Sequence, residues 1–173
     1  AVLQTGRSRS AWLFLNLITA IIASMVISLF EGTLEQIIIL AVLMPIVASM
    51  GGNAGTQTMT VAVRALATKE LTRSNAMRVI GKEALVGVYN GLLFALLIGG
   101  VAWFWSNSWQ IGGIMAIAMM ITLVIAAISG MAIPLILNRT GIDPAIASSV
   151  ILTTITDVIA FAVFLGFAAF LLL

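Results

Sequence analysis

Asp157 is the one formal charge in the last apolar stretch, residues 145–173, where it stands in the run Leu152-Thr153-Thr154-Ile155-Thr156-Asp157-Val158. An ionised carboxylate at the centre of a bilayer costs at least ~2.5–3.5 kcal/mol even on lenient insertion scales, so a chain keeps one there to meet a cation, a proton or a buried partner. At about 1.5 Å per residue, the carboxylate lies about 18 Å along a helix from Ala145, near mid-membrane. Ser149, Thr153 and Asp157 follow at i, i+4 and i+8, with Thr156 alongside, and are expected to share one face. Back-bonding to a helix carbonyl is the expected fate of the Thr154 hydroxyl. No Lys or Arg occupies the interior of an apolar stretch, so Asp157 has no fixed cation to pair with. A protonated, structural Asp is the competing reading, and ion binding the expected one.

A second polar stripe follows Pro45. Asn53, Gln57, Thr60 and Arg64 recur at steps of three to four and so line one side of a helix. Small residues at Ala48, Gly51, Gly52 and Gly55 would let another helix come close. Amides stranded in lipid would be unsatisfied, so the stripe must face protein or a water-filled path. Interhelical hydrogen bonding is the plainer alternative, but the length of the stripe beside a Pro and a Gly pair favours a pore lining. Cys and His are absent, which removes disulfides, zinc sites, thiol nucleophiles and imidazole bases together. A metal here must be met by oxygen, which favours Mg2+, Ca2+ or Mn2+. Asp143, in Gly141-Ile142-Asp143-Pro144-Ala145, reads first as a helix-start device. Glu83, next to Lys82, reads first as a surface charge pair or a helix-start residue. Both are kept as candidate ion contacts on the cytoplasmic side. Neither a nucleophile–base constellation nor a phosphate loop is visible, so no enzyme is expected.

The elements that must position these residues are membrane spans. With 62% hydrophobic and 8% charged residues and a mean hydropathy of +1.21, the chain is no ordinary soluble domain. About 20 apolar residues cross the hydrocarbon core, and five segments qualify: 12–30, 36–63, 84–105, 111–137 and 145–173. The first resembles a signal peptide only in its preceding Arg7 and Arg9, since its apolar run is too long. The chain is therefore expected to be all-α, a polytopic membrane protein with five transmembrane helices forming a single domain over residues 1–173. Starting at Ala1 without Met, it is expected to be part of a longer protein whose N-terminal cytoplasmic region lies outside it.

Threading five spans puts all 8 Lys and Arg residues on one side, with Glu31, Glu35, Trp103, Trp105 and Trp109 on the other. The positive-inside rule then predicts an inner cell membrane protein with a cytoplasmic N-terminus and an outside C-terminus. The net charge of +2 follows from this topology and gives no ground for nucleic-acid binding. Between the second and third spans, residues 64–83 carry apolar residues at roughly helical spacing, which predicts a short surface helix. Its positive charge reads as a topological determinant in preference to a lipid-specific site.

Together, Gly51-Gly52-Asn53-Ala54-Gly55-Thr56-Gln57 after Pro45, Asp143-Pro144-Ala145 and Thr153-Thr154-Ile155-Thr156-Asp157 resemble the membrane domain of the MgtE family of magnesium channels, over nearly the whole chain. The resemblance implies a homodimer whose ion path lies on the two-fold axis, lined by the second and fifth spans. It also implies that Asp157 is the central magnesium-site carboxylate and that the Thr153 carbonyl contributes. Two positions depart from the pattern: Val150 stands where the family carries a Pro, and Ala160 where a Gly follows the aspartate. Both changes imply a straighter fifth helix. The family's cytoplasmic sensing domains are absent from these residues, so regulation is expected to be lost, removed with a missing segment, or different.

The expected function is a channel passing largely hydrated Mg2+ into the cytoplasm, with Asp157 of both subunits at its centre and Thr153, Thr156, Ser149 and Asn53 touching the ion's waters. The alternative is a proton- or sodium-coupled divalent cation transporter, although the paired repeats common in such carriers are not visible. A membrane anchor without transport is the third possibility.

Overall fold

The computed structural model describes residues 1–173. Its elements are α1 (Val2–Ser28), α2 (Glu31–Gln36), α3 (Ile39–Ala67), α4 (Ala76–Ser106), α5 (Trp109–Arg139) and α6 (Pro144–Leu172), with no strand. All except α2 are long and apolar enough to cross a membrane, making five spans as the sequence predicts. Each is 27–31 residues long, or roughly 40–46 Å, and outruns a ~30 Å hydrocarbon core. Most of the predicted segments are shorter because hydropathy reads only the apolar part. The starts differ most in α1, whose first turns carry the exposed Arg7 and Arg9, and in α4.

Between Gln110 and Asn138, the only polar side chains of α5 are Thr122 and Ser129. A helix apolar on all sides belongs in the interior. Accordingly α5 packs against α3, α4 and α6, while α3 also packs on α6 and α1 rests on α6. The largest core cluster joins Leu43 and Val47 of α3, Met115 of α5, and Ala160 and Phe164 of α6. α6 runs unbroken through Val150 and Ala160, both buried.

In lipid no hydrophobic force drives helices together, so close backbone approach matters more. On α4, Gly87, Gly91, Ala95 and Gly99 recur every four residues and form a groove for α5. A Cβ on Gly87 would lie 2.8 Å from the Ala127 Cβ, and one on Gly112 would lie 2.7 Å from the Gly99 carbonyl oxygen.

The surface helix predicted within residues 64–83 does not exist as a separate element. Ala65 and Leu66 continue α3, whereas Met77, Val79 and Ile80 already belong to α4. Between them the chain stops in a Schellman turn: Lys69 takes the left-handed conformation at φ 61, Glu70 N–H donates to Ala65 O at 2.9 Å, and Lys69 N–H donates to Leu66 O at 3.2 Å. Leu71 then folds back among Ala62, Ala76, Met131 and Leu135. Asn75 braces the loop, accepting from Thr72 N–H and donating to Glu70 O, both at 2.8 Å. Periodicity across two helix ends mimics one helix, and only the cap distinguishes them. Likewise Glu31 and Glu35, predicted in a loop, lie on the short α2.

Gly112→Ala forces a methyl against the α4 backbone and is expected to destabilise the bundle by about 1–3 kcal/mol. Gly113→Ala meets open space within 4 Å and is expected to be neutral or to stabilise by up to about 1 kcal/mol. Unfolding of the two variants in one detergent compares them directly.

Candidate ion-conduction site

Two neighbouring helices carry the polar stripes. On α3, Asn53, Thr56, Gln57, Thr60 and Arg64 are exposed, while Gly51, Gly55, Thr58 and Ala62 on the opposite side are buried. The hydroxyls of Thr56 and Thr60 donate to Gly52 O and Thr56 O, each at 2.8 Å. Asn53 and Gln57 make no side-chain hydrogen bond within the chain. On α6, Ser149 and Thr153 are exposed and Asp157 is half-buried. The carboxylate of Asp157 forms neither an ion pair nor a hydrogen bond in the protomer.

Packing between the two helices fixes their register. A Cβ on Gly51 would lie 3.6 Å from the Thr156 Cβ, and one on Gly55 would lie 3.0 Å from Leu152 Cδ1. As the α3 number rises by four the α6 number falls by four, so the helices are antiparallel. This register levels Asn53 with Thr153 and Thr154, Gln57 with Ser149 and Val150, and Arg64 with Asp143. Asp157 is then about one turn, roughly 5 Å, beyond Asn53. Asn53 is the central residue of α3 and Asp157 is within a residue of the centre of α6. The carboxylate and the amide therefore occupy the middle of the membrane, and a ladder of amides and hydroxyls descends from them to the basic end of the bundle.

Thr156 does not join that ladder. It is fully buried, and its hydroxyl donates to Leu152 O at 3.0 Å and Thr153 O at 3.2 Å. One residue away from Asp157 is 100° around the helix, which turns Thr156 toward Gly51 and the interior. As expected, Thr154 back-bonds, to Val150 O at 2.8 Å. Asp143 caps α6 as its sequence context predicts, Oδ1 accepting from Ala145 N–H at 3.0 Å. Glu83 is neither a helix-start residue nor paired with Lys82, since α4 begins at Ala76 and no ion pair forms. It lines a cleft of about 160 Å³ between α3 and α4, together with Gln57, Thr58 and Asn90. Asn90 is absent from the sequence reading. Its signal is a lone amide in an apolar span, two turns beyond Glu83 on the same face.

No three acidic side chains come together within the chain. The chain thus offers a single carboxylate at mid-depth, flanked by amide, hydroxyl and carbonyl oxygens. Such donors suit a hard cation that keeps most of its water.

The model of the MgtE family, described as a divalent cation transporter, matches residues 44–167, well over half of the chain. The chain belongs to the MgtE family. It is 36% identical over 160 residues to a protein of Bacillus subtilis named magnesium transporter MgtE, covering 92% of this chain and 36% of that protein. Proteins of the same name from Enterococcus faecalis and Thermus thermophilus are each 32% identical, over 96% and 95% of this chain and 37% and 36% of theirs. The chain spans about a third of the length of these curated relatives. In this MgtE chain the matched region takes in both polar stripes and the α4 side of the cleft.

These residues contain no cysteine, which makes introduced thiols clean reporters of water access. Thr153→Cys and Gln57→Cys are expected to react with a charged thiol reagent at least about tenfold faster than Thr156→Cys, because only a hydrated thiolate reacts. Equal rates at all three positions would overturn the division between exposed ladder and interior.

Proposed function

We propose that this MgtE chain forms a magnesium channel, conducting largely hydrated Mg2+ into the cytoplasm down its electrochemical gradient. The observation that carries this reading is the unpartnered Asp157 carboxylate at mid-depth of α6, one turn from an equally unpartnered Asn53. Every other acidic residue lies nearer a helix end or in a loop. The reading is supported by the names of the relatives, all magnesium transporters.

In this proposal two copies of the chain pair so that α3 and α6 of each line a path on the two-fold axis, and Asp157 of both subunits faces one ion. Asn53, Ser149 and the Thr153 carbonyl contact the water shell, and Gln57 and Thr60 continue the lining toward the basic end. Glu83, in its cleft beside Gln57, and Asp143, with its uncapped oxygen, are the contacts nearest the cytoplasm. That this end faces the cytoplasm is supported by the positive-inside rule, since every Lys and Arg lies toward it. Mg2+ releases its waters reluctantly and takes near-octahedral oxygen geometry at ~2.0–2.1 Å, so reading the hydrated ion avoids the cost of stripping it. The membrane potential contributes about 4.6 kcal/mol per 100 mV for two charges. Mn2+ and Ca2+ share the oxygen preference and are the competing ions.

Flux into proteoliposomes tests the proposal. Asp157→Asn is expected to lower Mg2+ flux by at least about tenfold, the worth of one charged hydrogen bond, with Mg2+ passing faster than Ca2+ and without any proton or sodium gradient. Full flux in the Asn variant removes Asp157 from the path. Flux that requires a proton or sodium gradient replaces the channel with a coupled transporter.

A further inference from the structure

Arg73 lies in the α3–α4 loop and Arg139 in the last turn of α5, far apart in sequence. In the fold both line the same two adjoining cavities, of about 150 Å³ and 210 Å³. The first is walled by Thr72 and Asn138 as well as the two arginines. The second opens between α4 and α5 and is walled by Met77, Ile80 and Ile136. Met77 is 80% exposed and Ile136 58%, so this apolar trough is open on its outer side. Neither guanidinium forms an ion pair within the protomer.

We propose that this chamber holds an anionic phospholipid, its phosphate between Arg73 and Arg139 and the start of an acyl chain in the trough below. Three features favour that occupant. Two arginine forks without carboxylates match the oxygens of a phosphate diester, which can accept from both. The order of the chamber, polar at the helix ends and apolar one to two turns deeper, is the order of a phospholipid read from headgroup to tail. Its place at the end of two spans sets it at headgroup depth, where basic pockets between transmembrane helices take acidic lipids. A role as topological determinants asks only that the arginines lie on one side of the membrane. It does not explain their convergence on one amphipathic chamber.

Native mass spectrometry of the purified protein, titrated with phosphatidylglycerol or phosphatidylcholine, tests this directly. Phosphatidylglycerol is expected to be retained preferentially, and Arg73→Gln with Arg139→Gln to weaken it on the order of tenfold or more. Arg78→Gln with Lys82→Gln removes the same charge at positions outside the chamber and is expected to weaken it clearly less than the chamber variant does. Equal retention of phosphatidylcholine by the unaltered protein overturns the proposal, and this arm stands even if the double variant fails to fold. An equal loss in both double variants reduces the effect to general surface charge and also overturns it. Displacement of phosphatidylglycerol by millimolar inorganic phosphate assigns the site to free phosphate, and the lipid is then rejected.

Discussion

A polar group inside hydrocarbon has to be satisfied by protein or water, since lipid offers it nothing. Most of this chain obeys that constraint locally. Backbone groups are spent within helices, and the hydroxyls of Thr56, Thr60, Thr154 and Thr156 turn back onto carbonyls three or four residues earlier. Buried without a partner are the hydroxyls of Thr122 and Ser148. The Thr122 Cγ2 fills the space that a side chain on Gly51 would need. What remains unsatisfied lies mainly on the outside of α3 and α6: Asn53, Gln57 and Asp157. A helix carbonyl can satisfy a hydroxyl, but it leaves the oxygen of an amide unmet and offers an ionised carboxylate no donor at all. They commit this surface to meeting water, ion or a second copy.

The same packing that leaves those groups outside also aligns them. Because α5 fills the interior, α3 and α6 lie against it and against each other, joined through Gly51 and Gly55. A larger residue at either glycine would push the helices apart and loosen the register that brings Asn53 level with Thr153. Small residues thus perform two tasks in one helix: the glycine side sets the alignment, and the amide side receives its benefit. Gly52 departs from this division, meeting nothing within 4 Å in the protomer. It lies between the packed side and the polar side.

Much of this was legible in the sequence, for definite reasons. Five apolar stretches announce five helices because length and hydropathy are set by the bilayer and not by tertiary detail. Asp157 announces itself because a charge in such a stretch is costly, and Asp143 because an Asp before a Pro has one local use. Proximity in sequence to Asp157 groups Thr156 with the polar face, but 100° of helical rotation separates neighbours and the fold buries it. The neighbouring Lys82 suggests a charge pair for Glu83, but α4 begins a full two turns earlier and delivers Glu83 to the cleft beside Gln57 and Asn90. The convergence of Arg73 and Arg139 was out of reach altogether, since it depends on how the α3–α4 loop folds over the end of α5.

For the proposed conduction path, the composition of the ladder bears on selectivity. A site rich in carboxylates would hold a dehydrated divalent ion tightly and release it slowly, whereas conduction requires binding weak enough to let go. In that path each copy supplies one mid-membrane carboxylate, and the ladder on α3 and α6 leading away from it as far as Thr60 consists of neutral amides and hydroxyls, with Glu83 of α4 beside Gln57. Neutral oxygens hydrogen-bond readily to the waters of an ion but replace them poorly around Mg2+, whose shell is costly to remove. At the basic end one oxygen of Asp143 is already engaged by the Ala145 N–H, which leaves less of that carboxylate for an ion. In the proposed path the strongest charge would then lie where Asp157 of each copy meets the ion, with Glu83 and the half-engaged Asp143 as the only carboxylates below it, an arrangement that would attract a hydrated cation to the centre and still let it leave.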